Sequence, residues 1–322
     1  MFERICAELN LGELTAPPLQ LSGGYTHRMF RLDTTTGRYA VKLLNPEIMQ
    51  RPDAADNYRT AEACEALLEA AGLPILPALV IGGRKLHRVE GQYLYVFEFF
   101  DGHALSPEEI TPAHCAKVGA VLACIHGVQS HRHPQADDCS PAKGIPWHEL
   151  AEKLLSAEDA HAEGELLRSA LSMLTLVTAA AEDATRRLSR MEALCHNDMD
   201  PKNVLWRGDD FRIIDLECLG YADPRQELLD LAISWAEPGD EARFKAFVSA
   251  YYAAGGAHPA DAALLYDSRR NYIDWLAYSA RRAISPDPEE RRIGREQIRT
   301  TVGKIKGDLA YRDVILQWME EM

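Results

Sequence analysis

Apolar and polar positions alternate in short runs over the first hundred residues, and recur every three or four residues over most of the remainder. "YTHRMFRLD" (25–33), "TTTG" (34–37) and "RYAVKLL" (38–44) predict strand, turn and strand. "AADNYRTAEACEALLEAAG" places Ala61, Cys64, Leu67 and Leu68 at helical spacing, ends at Gly72 and is stopped by Pro74. "LPALVIGG" (76–83) and "GQYLYVFEFF" (91–100) read as further strands. The first portion is therefore expected to be a sheet with one helix.

Beyond "DGHAL" the period becomes helical. Thr111 and Pro112 form a cap and first-turn pair before "AHCAKVGAVLACIHGV", and an apolar-periodic segment runs through Leu166, Leu167, Leu171, Leu174, Val177 and Leu188. "EARFKAFVSAYYAAGG" closes at Gly255 and Gly256, and further helices are expected around "NYIDWLAYSARRAI" and through "YRDVILQWMEEM". "SHRHPQADDCSPAKG" (130–144) reads as a long loop, and no internal repeat is visible. The pattern defines an α+β chain with two domains: a β-rich lobe over residues 1–100 and a larger, mostly helical lobe over 101–322.

Composition narrows the picture. With 322 residues, 47% of them hydrophobic and 26% charged, the chain is globular and long enough for two cores. No apolar run approaches the roughly 18 residues of a membrane span, and the start "MFERICAELN" carries acids where a signal peptide is basic. A cytoplasmic protein without membrane contact is expected. The seven cysteines are scattered with no Cys-x-x-Cys pair, which suits reduced thiols, and His131 and His133 lack companion ligands. The net charge of -14 argues against nucleic acid as a partner. Residues 1–100 hold 10 basic and 12 acidic side chains, so the acidity lies in the second portion, where a cleft would attract cations.

The candidate chemistry begins at "LCHNDMDPKNVLW" (194–206), a polar loop between apolar anchors. "NVLW", "RGDD" and "FRIID" predict a hairpin that brings Asp198, Asn203 and Asp215 side by side. Phosphoryl transfer needs a carboxylate to orient and deprotonate the attacking hydroxyl, and oxygen ligands for Mg²⁺. His-x-Asp followed five residues later by Asn is the catalytic-loop spacing of kinases. In the first lobe, "LSGGYTHRMFRLDTTTGRYAVKLL" offers Gly23 and Gly24 for a phosphate-binding loop and Lys42 on the returning strand. A lysine between Val41 and Leu43 needs a partner or an anion; Glu62 is the natural candidate and Glu65 its competitor.

These segments, with "EACEALLEAAGLP", "YVFEFFDG", "IIDLECLGYADP" and "ELLDLA", resemble the aminoglycoside phosphotransferase and choline kinase family of small-molecule kinases across nearly the whole chain. The resemblance implies a bilobal, protein-kinase-like fold with ATP or GTP and Mg²⁺ as cofactors. It implies Asp198 as catalytic base, Asn203 and Asp215 as metal ligands, and Lys42 with Glu62 as the phosphate-positioning pair. Glu98, Phe99 and Phe100 would form the hinge that meets the nucleotide base. His196 and Asp230 would be structural.

The chain has "DLE" where protein kinases carry Asp-Phe-Gly, and no Ala-Pro-Glu, which argues against a protein acceptor. The family's acceptors are hydroxyls of small molecules, many of them cations. An aminoglycoside-like antibiotic is the favoured acceptor here, with choline, ethanolamine or another amino alcohol or sugar as the alternative. Asp200 and Glu217 are candidates for facing it. Tyr272, Trp275 and Tyr278, with Asp274 nearby, could form an aromatic face for an ammonium, worth about 0.5–2 kcal/mol per contact. No protein partner is evident. A catalytically silent nucleotide-binding scaffold is the reading from another class, opposed by the presence of every part.

Overall fold

The computed structural model describes residues 1–21, 27–128, 144–187, 191–236, 239–257 and 270–322. The fold is mixed α/β, an N-terminal antiparallel sheet followed by a larger helical part. It divides into two compact units, Met1–Ile110 with Leu194–Gly220, and Thr111–Ala193 with Tyr221–Met322. Both units are thus discontinuous in sequence, whereas the pattern along the chain suggested a single boundary near residue 100.

In the first unit the strands β1 (Leu19–Leu21), β2 (Arg28–Asp33), β3 (Arg38–Leu43), β4 (His87–Val89) and β5 (Gln92–Glu98) form one sheet in the order β1-β2-β3-β5-β4. The Thr34 N–H and hydroxyl both donate to the Gly37 carbonyl, 2.9 Å each, which closes the β2–β3 turn. Side chains alternate between faces along each strand. On one face Leu32, Val41, Leu43, Leu94 and Val96 pack with Ile5 and Cys6 of helix α1 (Phe2–Glu8). On the other, Tyr95 and Phe97 meet Tyr58 of helix α3 (Ala54–Ala70). One-turn helix α2 (Pro46–Met49) links β3 to α3, and the Asn45 side chain caps it by accepting from the Glu47 N–H.

The segment expected as a strand over 76–83 makes only isolated bridges, Ala78 with Phe97 and Ile81 with Arg84. Pro77 lacks the N–H that a ladder needs, and Gly82 and Gly83, both at positive φ, turn the chain back. The sheet also packs more than the one helix expected, since α1 and α2 join α3. The hairpin predicted at 203–215 forms from Val204–Arg207 and Asp210–Ile213, with His103–Ala104 as its third strand. Two backbone bonds of 2.8 Å, Leu76 N–H to Ile213 O and Ile213 N–H to Pro74 O, tie it to the connection that leaves α3.

The second unit is helical. Thr111 and His114 complete a capping box with Pro112 in the first turn, as the residues predict, and the helix runs Pro112–His126. The long helix His161–Arg187 packs against Trp147–Leu155, Arg270–Arg282 and Pro288–Ala310 around Leu167, Leu174, Leu276, Ile298 and Val302. Residues 130–143 and Leu188 lie outside the described residues. Helix Glu241–Ala253 crosses Pro112–His126 at Gly119, where an added Cβ would lie 2.2 Å from the Phe247 carbonyl.

That contact is with backbone, which cannot rotate away, so Gly119→Ala is expected to destabilise the fold by about 1–3 kcal/mol. Chemical denaturation of the two proteins checks it; equal midpoints would show that the helices separate freely.

Candidate active site

Lys42 stands directly opposite Tyr95 in the β3–β5 register, on the sheet face away from Val41 and Leu43. Its side chain is 8% exposed. An ammonium so placed requires counter-charge. Asp215 Oδ1 lies 2.7 Å from Nζ, and Glu217 Oε1 pairs with the same nitrogen. Glu62 instead accepts a 2.8 Å hydrogen bond from the Tyr95 hydroxyl. Glu65 accepts from Lys85 Nζ at 2.7 Å and from the Ala78 N–H at 2.8 Å. The pairing of Lys42 with Glu62 is therefore not formed in this structure, and Glu65 does not replace it. Tyr95, on the same face as Lys42, takes the Glu62 carboxylate. Burial first, then that hydrogen bond, raises the Tyr95 pKa, so the phenol remains a donor. A small pocket is lined here by Lys42, Tyr58, Glu62, Tyr95, Phe97, Asp215 and Glu217.

The catalytic loop is held from several sides. His196 is fully buried; its Nδ1 accepts from the Asp198 N–H at 3.2 Å, so Nε2 carries the proton toward Ile214 O, also at 3.2 Å. Asn197 adopts φ 64° and its amide donates to Cys218 O at 2.8 Å, tying the loop to the turn that follows Asp215. Asp198 accepts from Lys202 Nζ through Oδ1 and from Asn203 Nδ2 through Oδ2, both at 2.9 Å. Burial raises its pKa, and the Lys202 charge opposes that rise without cancelling it. A carboxylate with elevated proton affinity, oriented at both oxygens, is suited to accepting a hydroxyl proton.

Asn203 and Asp215 are brought together by the hairpin, since the Ile214 N–H donates to Asn203 O at 2.9 Å. Both Asn203 hydrogen bonds to Asp198 use its Nδ2, which leaves the amide oxygen unspent on them. Asp215 sits at φ 62°, ψ 54°, a left-handed conformation that aspartate tolerates better than most residues. Burial would raise its pKa, but the charge and hydrogen bond of Lys42 outweigh that and hold it below the usual carboxylate range. The oxygen-only donor set of Asn203 and Asp215 fits a hard divalent cation such as Mg²⁺.

Asp200 caps the short turn Pro201–Asn203, its carboxylate 3.7 Å from Lys202. Glu98 ends β5 and is exposed. The Phe99 N–H donates to Arg38 O at 3.1 Å, and Phe100 O accepts from the Gly102 N–H at 3.0 Å. Arg31 and Arg38 lie over the Phe99 ring, and Arg207 and Arg212 over Phe100, at 4.8–5.9 Å. Gly23 and Gly24 lie outside the described residues, as do His131 and His133. In the helical unit Asp274 is more than half exposed, 3.8 Å from Arg270. Trp275 donates to Gln297, while Lys304 stacks on Tyr272 and Arg282 on Tyr278. His27, Tyr58, Tyr95 and Lys202 were not anticipated from the sequence. Lys202 carried a signal, four residues after Asp198 on a turn; the others are recognised only through strand register and packing.

Comparison with known proteins gives the family. The model of the phosphotransferase enzyme family matches residues 19–265, and the chain belongs to that family. Its fold is that of small-molecule kinases of the aminoglycoside phosphotransferase and choline kinase type. Spectinomycin phosphotransferase APH(9)-Ia, solved with ADP and spectinomycin, has TM-score 0.73 at 14% identity, covering 95% of this chain and 97% of that one. A choline/ethanolamine kinase family protein from Mesorhizobium loti has TM-score 0.62 at 19% identity, covering 97% and 98%. Amicoumacin kinase hAmiN, in complex with AMP-PNP, Ca²⁺ and Ami, has TM-score 0.62 at 12% identity, covering 93% and 92%. No relative among curated protein sequences matches. Among the described residues no helix is long and apolar enough to cross a membrane.

The two helix glutamates are expected to separate in stability. Glu65→Gln leaves the buried Lys85 ammonium only the exposed Glu69 carboxylate at 3.6 Å and should cost about 2–4 kcal/mol, whereas Glu62→Gln keeps an acceptor for Tyr95 and should stay within ~1 kcal/mol. Urea unfolding of both variants measures this; the reverse order would show that Glu62, not Glu65, neutralises the helix face.

Proposed function

We propose that the chain moves the γ-phosphoryl group of ATP or GTP to a hydroxyl of a cationic small molecule, with an aminoglycoside-like antibiotic as the favoured acceptor. The observation that carries this reading is the oriented Asp198 carboxylate, in one compact unit with Lys42, Asn203 and Asp215. Asp198 orients the acceptor hydroxyl and takes its proton as the new O–P bond forms and the bond to the β,γ-bridging oxygen breaks. Lys42 exchanges a carboxylate for phosphate oxygens and neutralises charge on the departing diphosphate. By the family resemblance, Gly23 and Gly24 would belong to the phosphate-binding loop, and Glu98, Phe99 and Phe100 to the hinge beside the base. Asn203 and Asp215 would hold Mg²⁺, which when bound neutralises the phosphate oxygens. Such an enzyme draws its nucleotide from the cytoplasm.

The acceptor's charge is read from the acidic second portion of the chain. Asp200 and Glu217 lose support as its partners, because Lys202 and Lys42 already neutralise them. The Tyr272, Trp275 and Tyr278 face loses support for the same reason, being engaged by Lys304, Gln297 and Arg282. Asp274, though more than half exposed, stands 3.8 Å from Arg270 and is weakened as a partner on the same ground. Choline or ethanolamine is the second reading, favoured by the fold shared with the Mesorhizobium loti protein.

Product nucleotide release with Mg²⁺, measured against aminoglycosides, choline, ethanolamine and simple sugars with mass spectrometry of each acceptor, tests the assignment. One added phosphoryl group on an aminoglycoside is the expected result; transfer to choline alone would establish the second reading. Asp198→Asn is expected to lower kcat by at least ~10³-fold with nucleotide affinity within a few-fold. Full turnover in that variant would remove Asp198 as the base, and nucleotide binding without turnover in the native chain would leave a silent scaffold.

A further inference from the structure

We infer that His27 is a positioning residue for nucleotide use: it fixes Glu217, and through Glu217 it fixes Lys42 at the phosphate end of the site. The inference rests on the phosphotransferase reading of Lys42. His27 immediately precedes β2, just after the glycine-bearing stretch of the sequence, and is 8% exposed. The Asn45 N–H donates to its Nδ1 at 2.9 Å, so Nδ1 holds a lone pair and the proton of the neutral ring resides on Nε2. Nε2 lies 2.9 Å from Glu217 Oε2. The Tyr58 hydroxyl donates to the same oxygen at 3.3 Å. Burial first, and the charge of Lys42 second, bring the His27 pKa down to about 3, so the ring is neutral in ordinary buffers.

These contacts close a ring. Asn45, the cap of α2, follows Lys42 by three residues just beyond the end of β3, so the series Asn45, His27, Glu217, Lys42 starts and finishes within one short stretch of chain. Within it Glu217 has one oxygen on Lys42 and the other on His27 and Tyr58. Its carboxylate therefore cannot rotate without breaking a bond at each end. Lys42, shared with Asp215, is held to one rotamer before nucleotide arrives. A hydrophobic residue at 27 would leave the Asn45 N–H without its acceptor and Glu217 Oε2 with the longer Tyr58 bond alone, which loosens the carboxylate. A glutamine keeps a donor within reach.

The test is calorimetric binding of MgATP and MgGTP to the full chain carrying His27→Leu or His27→Gln, each also placed on Lys42→Met. A hydrogen bond to a charged group contributes about 1.5–3 kcal/mol, so His27→Leu is expected to weaken nucleotide binding by at least ~10-fold. His27→Gln should lose no more than about threefold, and acceptor KM should stay within about twofold in both. On Lys42→Met neither substitution should change nucleotide affinity further. Equal losses on both backgrounds, or equal losses for leucine and glutamine, would overturn the inference. Where His27→Leu does not fold, His27→Gln on the two backgrounds decides by the same comparison. A native chain that binds nucleotide but transfers nothing overturns the activity and leaves this inference standing, whereas one that binds none overturns both.

Discussion

A lysine set on the inner face of a sheet, with less than a tenth of its side chain in contact with water, must find counter-charge inside the protein. Here the two carboxylates come from a turn some 170 residues further along the chain, and Lys42, Asp215 and Glu217 thereby join β3 to the end of the catalytic hairpin. The charges are expensive to bury singly and tolerable together. The demand reaches further, because Asp215 must leave the ordinary backbone regions to present its carboxylate, and the loop before it must be held in step. His196 and Asn197 supply that restraint, one through Ile214 and the other through Cys218.

The same arrangement leaves the helix glutamates with other tasks. Glu65 neutralises Lys85 and receives the Ala78 N–H, which fixes the chain as it leaves α3 toward the hairpin. Glu62 rests on Tyr95. The cavity beside Lys42 is consequently lined by two phenols as well as by carboxylates. On the proposed assignment, a phosphate entering it would meet a lysine whose charge is already satisfied, so nucleotide binding would be an exchange of anions with a smaller net gain than a bare ammonium would give.

Much of this was legible in the residues. The strands around Lys42, the capped helix at Thr111–Pro112, the hairpin after Asn203 and the α+β class follow from period, cap and turn chemistry, each a local signal. Local signals were silent where packing decides. Pro224–Ala236 buries residues on every side and has no polar face to betray its period, while Pro288–Ala310 is charged along most of its length. Leu76–Gly83 is apolar enough for a strand, yet Pro77 removes the donor that pairing requires. At the site, the spacing from His196 to Asn203 and the far aspartate could be read directly. The partners of Lys42 could not, because nothing in the sequence separates Glu62 from Glu217 until register places Tyr95 across from the lysine.

The discontinuity of the sheet unit also bears on synthesis. Its strands leave the ribosome early, but the hairpin that completes it, with the carboxylates that neutralise Lys42, emerges only after Thr111–Ala193 has been made. Until then the lysine faces solvent, and the backbone groups of Pro74 and Leu76 lack the Ile213 edge that later pairs with them. Contacts of such long range close slowly. The unit is therefore completed by contacts of long sequence separation, while the apolar sheet face that α1 covers is built from residues near one another in the chain and can pack before them.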